Sequence, residues 1–480
     1  MIKFKVMKRN AFLFFLVFFL IVSMSGQAQR QLSQLEGSWA GKIDISGTAF
    51  RMIFNLTMTD ADTLKATVDS PDQGAKDIPL GRVTLTGDTL TIAAPILQGS
   101  YHGIITSDST ITGTWTQIGR DFPVDLKRGG PPVVYERPQE PKPPYPYREE
   151  EVIFRNTVEN FDLAGTLTLP DGNGPFPVAV LITGSGQEDR DETVFGHKPF
   201  LVIADYLTRN GIAVLRFDDR GVGGSKGNPN NATSENFAGD AAAAVAYLAT
   251  RHEIDAKKIG LIGHSEGGLI APIVASKNPS IAFIVSLAGP GIRGKELLLK
   301  QTGDIMKVSG APESEIKDAM STNNTLYDMV MDDPDQRSFA KKAMEWYGKE
   351  LDAKGLTPEK RKEDMASFAQ AIVQVNNAWM RYFISTDPAI FWIKVKCPVL
   401  ALNGEKDMQV NYEQNLPAIK AALKKGGNRK ARTIALPDLN HLFQHCTTGN
   451  PSEYVSIEET FSPEALKIMT DWIKKTMKSK

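Results

Sequence analysis

The stretch "KIGLIGHSEGGLIAP", Lys258 to Pro272, carries the first residue that could do chemistry. An apolar run leads into Gly-His-Ser-Glu-Gly-Gly, and a second apolar run follows. A serine is a weak nucleophile unless a base takes its proton, an acid orients that base, and donors hold the oxyanion that forms. Between a buried strand and a buried helix, the glycines at 263 and 267 allow a sharp turn that larger side chains would block. Ser265 would then stand above the strand end. The backbone N–H of Glu266, at the start of the helix, would point to the place where a tetrahedral oxyanion forms.

On such a turn the acid and then the base follow the serine in chain order. Of the six histidines, His102, His197 and His252 precede Ser265, and His264 lies inside the turn beside it. His441 and His445 remain. His441 directly follows a predicted strand in "LPDLNHLF", where a loop at the sheet edge would present it, whereas His445 is expected to face solvent. For the acid, "VLALNGEKDMQV" offers Glu405 and Asp407 just past a strand; Asp407 is preferred, with Asp438 as the alternative. A second oxyanion donor is expected in "LITGSGQEDRDE", from the backbone of Ser185 or Gly186, where small residues let N–H groups approach a substrate. The acidic run from Glu188 to Glu192 has no histidine partners to suggest a metal site. It is expected to be a solvated loop stabilised by Arg190.

Elements must position these residues. Strand and helix patterns alternate beyond about residue 150: "FPVAVLITGSG", "IAVLRFDDRGVGGS", "KIGLIGH", "IAFIVSLAGPG", "CPVLALNGEKD" and "ARTIALPDLNH" are strand-like, with helical stretches between them. Unbroken Val, Ile and Leu runs in β-α-β order predict a mostly parallel sheet covered on both faces. Residues 292–390 interrupt the rhythm with Lys-, Glu-, Met- and Ala-rich segments and helix starts such as "APESEIKDAM", predicting a helical insertion.

The motifs "ITGSGQEDRDE", "RFDDRGVGGSKG", "GHSEGG", "LNGEKD" and "DLNH", in that order, resemble the α/β-hydrolase superfamily. They are most similar to exported bacterial esterase-like members, related to the catalytic domains of prolyl-oligopeptidase and dienelactone-hydrolase type. The resemblance covers 151–480. It implies Ser265, Asp407 and His441 as a catalytic triad and the helical insertion as a lid. Acyl transfer through such residues needs no cofactor, and a small-molecule acyl ester is the expected substrate, with a peptidase or aminopeptidase using the same triad, or a thioesterase, as the alternative. Thr183 departs from the pattern, since many members carry histidine before the glycine of the oxyanion loop. Asp219 and Arg220 are expected to brace the loops around the site. Met side chains with Trp346, Tyr347, Trp379 and Phe383 are candidates for the walls of an acyl pocket, although such residues at helical spacing commonly form core.

The rest of the chain reads as accessory. Residues 29–130 alternate as β-strands, with Met52, Phe54, Leu56 and Met58 on one face and a hairpin signal at Gly87-Asp88. Gly37-x-Trp39 resembles the first strand of a lipocalin-type barrel, and a small all-β barrel or sandwich is expected. At about 100 residues this region is too small for the β-propeller of an oligopeptidase. The proline-rich stretch 131–150 predicts an extended linker.

Residues 1–28 combine a basic start, an apolar run from Ala11 to Val22 and the small residues Gly26 and Ala28 before Gln29. That is the layout of a secretory signal peptide, and the apolar run is shorter than the ~20 residues that span a bilayer. Export is therefore expected, with no stable membrane insertion after cleavage. The formal charge of −1 becomes −5 without Lys3, Lys5, Lys8 and Arg9, which gives no attraction to nucleic acid. Cys397 and Cys446 are placed at opposite ends of one sheet, ~20 Å apart, too far for a disulfide.

Overall fold

The structure, a computed structural model, describes residues 32–45, 48–59, 63–71, 75–117, 120–129 and 136–478. The expected signal peptide lies outside these residues. The chain divides into two compact units, the first ending at Val133 and the second beginning at Val134.

The first unit is one antiparallel sheet. Its strands are β1 (Gly37–Ile45), β2 (Thr48–Met58), β3 (Leu64–Ser70), β4 (Ala75–Pro79), β5 (Val83–Thr86), β6 (Thr89–Ala94), β7 (Gly99–Ser107), β8 (Thr110–Gln117), β9 (Arg120–Pro123) and β10 (Leu126–Arg128). They run in the order β4-β3-β2-β1-β10-β8-β7-β6-β5, with β9 on β8. The sheet curls around a single core in which Trp39, Phe54, Tyr101 and Trp115 are fully buried, with Phe54 5.3 Å from Tyr101 and 5.9 Å from Trp115 between ring centres. The chain between β4 and β5 bridges the open side: Leu80 N–H donates to Ala66 of β3 and Gly81 N–H to Ala93 of β6. The result is an incompletely closed barrel, not a two-sheet sandwich.

The second unit has an eight-stranded sheet built from β11 (Arg148–Asn156), β12 (Phe161–Leu169), β13 (Phe176–Ile182), β14 (Ala213–Phe217), β15 (Ile254–His264), β16 (Ile284–Leu287), β17 (Val399–Gly404) and β18 (Ala431–Leu436). Its order is β11-β12-β14-β13-β15-β16-β17-β18. The first two pairings are antiparallel and all others parallel. On β13, Val178, Val180 and Ile182 enter one apolar layer while Ala179 and Leu181 enter the other. That alternation explains the unbroken apolar run: both faces of the strand are covered.

The helices are α1 (Pro199–Arg209), α2 (Ser234–Leu248), α3 (Gly267–Lys277), α4 (Gly294–Val308), α5 (Glu313–Asp332), α6 (Gln336–Ala353), α7 (Pro358–Val375), α8 (Ala378–Ser385), α9 (Ala389–Trp392), α10 (Tyr412–Lys425) and α11 (Pro463–Lys478). Helices α1 and α11 cover one face of the sheet; α2, α3 and α10 cover the other. Helices α4 to α9 form the insertion between β16 and β17, with a core of its own around Leu326, Phe339, Phe368 and Ile372. Trp346 and Tyr347, both half-buried, pack against that core, Tyr347 stacking on Phe368 at 3.9 Å.

The proline-rich stretch departs from the expected linker. From Glu136 onward it is bound to the second unit. The Arg137 guanidinium donates to the carbonyls of Phe195, Gly196, Val455 and Ile457, while Gln139 exchanges hydrogen bonds with Thr460 and Phe461. Strand β11 begins at Arg148, inside the expected linker. Cys397 and Cys446 are separate thiols. Among the described residues no helix is long and apolar enough to cross a membrane.

Candidate active site

Ser265 lies between the end of β15 and the start of α3 with φ +51°, a left-handed conformation that costs a non-glycine residue free energy and marks a backbone held by its surroundings. Close packing holds it there. A Cβ on Gly263 would overlap the Gly267 carbonyl, and one on Gly267 would overlap the Ile182 carbonyl at the end of β13. The Ser265 N–H donates to Leu287 O at the end of β16, 2.9 Å away. The turn at Ser265 is thus wedged between two neighbouring strands. Among the described residues the Ser265 hydroxyl has no hydrogen-bond partner.

Asp407 and His441 come together from the loops after β17 and β18, with His441 Nδ1 2.9 Å from Asp407 Oδ2. Asp407 is buried and its carboxylate is saturated with donors. Oδ1 accepts the N–H groups of Gln409 and Val410, each at 2.8 Å, and Oδ2 also accepts from the Asn403 amide at 3.1 Å. A carboxylate that accepts at Nδ1 fixes the proton there and leaves the Nε2 lone pair as the basic one. The other acids are elsewhere: Asp438 pairs with Lys406 at 2.7 Å, and Glu405 is exposed. His445 is exposed and pairs with Glu459. His197 is structural: it bonds Thr460 and the Tyr454 carbonyl, and burial pushes its pKa down to about 4.

The loop after β13 lies against the turn at Gly184, where a Cβ would stand 3.4 Å from that of Ser265. Ser185 and Gly186 are exposed just beyond, Gly186 with φ +140°. Among the described residues the amides of Ser185, Gly186 and Glu266 have no acceptor, so all three remain open to a ligand oxygen. Thr183 uses its hydroxyl to bond Asp219 Oδ1 at 2.8 Å, and Asp219 Oδ2 takes the Glu188 N–H at 3.0 Å. Arg220 bonds Asp240 and Glu159. Asp219 and Arg220 therefore tie the loops together around the turn.

Two features differ from the sequence expectation. The acidic run is not a solvated loop. Arg190 does pair with Asp218 and Glu151, but Glu192 is buried, 2.8 Å from His264 Nδ1 and accepting the Gly184 N–H at 2.8 Å. Burial, with Glu192, Asp219, Asp189 and Glu266 nearby, pushes the Glu188 carboxyl up to about 10, so it stays protonated at neutral pH. The available signal was His264 itself: a histidine closing an apolar strand must find partners for both ring nitrogens.

The second feature is the side chain of Glu266, for which the sequence suggested only a backbone role. It is buried, and Oε1 accepts from the Ser234 hydroxyl at 2.5 Å and from the Trp379 indole N–H of α8 at 2.8 Å. Trp379 in turn stacks on Phe383, 5.6 Å between ring centres. The insertion is thereby attached to the residue beside Ser265. Among the described residues no group of three or more His, Cys, Asp or Glu side chains is arranged to hold a metal ion.

A parallel sheet with a serine on a strained strand-to-helix turn, and a His–Asp pair at the ends of later strands, defines an α/β hydrolase. Residues 199–358 match the family described as serine aminopeptidase, S33. The esterase EstD of Thermotoga maritima is 28% identical over 300 residues, 62% of this chain and 61% of EstD; the chain thus spans less than two thirds of that relative. The thiohydrolase aneE of Aspergillus aculeatus is 33% identical over 142 residues, 29% of this chain and 41% of aneE. The solved esterase Pf2001 of Pyrococcus furiosus aligns over 68% of this chain and 93% of its own, at 17% identity and a TM-score of 0.41. The second unit of this chain has the α/β-hydrolase fold, and a third of the chain matches the serine aminopeptidase family model. The matched family segment contains Ser265 but ends before Asp407 and His441.

Burial raises the Glu266 carboxyl to about 7, against the lowering effect of its bonds to Ser234 and Trp379. A carboxyl raised on folding gives stability that is whole below its unfolded value near 4.5 and lost as pH rises through about 7. Glu266→Gln removes that loss. In urea unfolding the variant is expected to gain on the wild type by about 1 kcal/mol or more between pH 5 and pH 8; a pH-independent difference would contradict the assignment.

Proposed function

We propose that the protein is a serine hydrolase of carboxylic esters in which Ser265 is the nucleophile, His441 the base and Asp407 the residue that orients it. The observation that carries this reading is the His441–Asp407 hydrogen bond, made beside the constrained turn that displays Ser265. His441 Nε2 takes the Ser265 proton as Oγ attacks the substrate carbonyl carbon. The oxyanion is held by the N–H of Glu266 and by one from Ser185 or Gly186. The imidazolium then protonates the leaving alkoxide, the acyl–serine forms, and water activated by the same Nε2 releases the acid. No step calls on a cofactor. A small-molecule acyl ester is the substrate class, with the helical insertion as a lid over the acyl group and Trp379 on its inner side.

A peptidase reading of the same triad is favoured by the description of the matched family, serine aminopeptidase. The two readings differ in leaving group: an amide nitrogen must be protonated to depart, whereas an alkoxide leaves more readily. Ser265→Ala is expected to lower hydrolysis of short p-nitrophenyl esters by about 10⁴-fold or more. Undiminished hydrolysis would remove Ser265 from the mechanism. Aminoacyl-naphthylamide cleavage exceeding ester cleavage would replace the esterase by the peptidase.

Export belongs to the same proposal and rests on the layout of residues 1–28. N-terminal sequencing of protein recovered outside the cytoplasm should begin at Gln29. A mature protein retained in the cytoplasm and beginning at the initiator methionine would contradict export.

A further inference from the structure

One buried pair is left over by this mechanism. Glu192 and His264 are both almost fully buried, with side chains 3% and 7% exposed. Neither is in the triad, and each reaches a different half of the site. Glu192 Oε1 accepts from the Gly184 N–H, 2.8 Å away, in the loop that carries Ser185 and Gly186. The same oxygen lies 2.8 Å from His264 Nδ1. On the other side of the ring, His264 Nε2 is 2.9 Å from the backbone carbonyl of His441. The two imidazoles also lie against each other, 4.8 Å between centres.

The hydrogen-bond pattern assigns the protons. A carbonyl oxygen can only accept, so Nε2 of His264 carries a hydrogen. Ionised, Glu192 Oε1 accepts from both the Gly184 amide and Nδ1, and the raised His264 pKa agrees with a hydrogen on that nitrogen too. His264 is therefore an imidazolium and Glu192 a carboxylate. The ionisable groups facing the ring are Glu192 after β13, Asp407 after β17 and His441 after β18. Burial opposes the charge on His264, but the charge and hydrogen bond of Glu192, with the His441 carbonyl and Asp407 adding, outweigh it. The His264 pKa is held above its ordinary value.

We propose that the Glu192–His264 ion pair positions the two halves of the catalytic site, Glu192 holding the oxyanion loop through Gly184 and His264 holding the base through the His441 backbone. This rests on the reading of Ser265 and His441 as nucleophile and base. The pair touches no reacting atom; it acts through the residues it holds. An error of about 1 Å in such placement costs about 10²-fold in rate. Buried ion pairs add little net stability over apolar packing, so a positioning role accounts better for its place beside the site.

The test uses the full chain as wild type, Glu192→Gln and His264→Gln. A fluorophosphonate counts the reactive serines in each, and p-nitrophenyl ester turnover per labelled site is followed from pH 6 to pH 10. Turnover per site is expected to fall about 10²-fold in both variants with KM nearly unchanged. The wild type should show an alkaline loss of kcat as His264 gives up its proton. In Glu192→Gln that loss should move to lower pH, because the imidazolium has lost its carboxylate; in His264→Gln it should vanish. A purely structural role would reduce the number of labelled sites and leave turnover per site and the pH limb unchanged, which would overturn the proposal. If neither variant folds, Glu192→Asp and His264→Asn are measured in the same way, and turnover per site equal to the wild type in both also overturns it. Failure of the wild type to label at Ser265 would overturn the proposed triad, and this proposal with it, a result distinct from all the others.

Discussion

The close approach of backbone to backbone at the Ser265 turn is the constraint on which the rest of the candidate site depends. Where a side chain on Gly267 would go, the Ile182 carbonyl is already present, and where one on Gly263 would go, the Gly267 carbonyl is present. This contact sets the end of β13, the start of α3 and the end of β15 at fixed separation. It forces Ser265 into the left-handed region and brings Gly184 against its Cβ. The loop after β13 and the turn at Ser265 thus meet at this contact, and the Glu192 side chain adds a second hold on that loop through the Gly184 N–H.

Topology supplies the rest. In a parallel sheet the carboxyl ends of the strands share one edge, and the loops after β13, β15, β17 and β18 all leave from it. Asp407 and His441 are 34 residues apart in the chain, yet their side chains meet because β17 and β18 are neighbours in register. The edge concentrates carboxylates, and the structure meets the cost of burying them in different ways. Asp407 is saturated with donors, Glu192 faces an imidazolium, and Glu188 and Glu266 are driven toward their neutral forms. Through Trp379 the last of these also ties the helical insertion to the turn.

The parts legible in the sequence are those encoded locally or by chain order. The Val, Ile and Leu runs of β13 to β17 announce strands covered on both faces. The glycines around Ser265 announce a turn, and order along the chain selects His441 and prefers Asp407 to Asp438. What was not legible depends on groups that any residue carries or on distant pairings. Arg137 binds main-chain carbonyls distant in sequence, those of Val455 and Ile457 more than 300 residues away, so its proline-rich surroundings read as a free linker. Glu192 reads as one more acid in an exposed run because its partner is 72 residues further on. Glu266 looked important only for its amide, since nothing near it in sequence indicates Trp379. In the β unit the alternation of strands defines one buried face but not how far the sheet curls, which left barrel and sandwich as alternatives.

The central claim is that Asp407, through His441, makes Ser265 nucleophilic. The most direct measurement is the second-order rate at which a fluorophosphonate modifies Ser265, located by peptide mass mapping, in the wild type and in Asp407→Asn. The amide keeps the size of the side chain but favours the wrong tautomer of His441. The account predicts a fall of about 10⁴-fold in that rate, with the adduct in both proteins on Ser265. An unchanged rate, or an adduct on another residue, would contradict it.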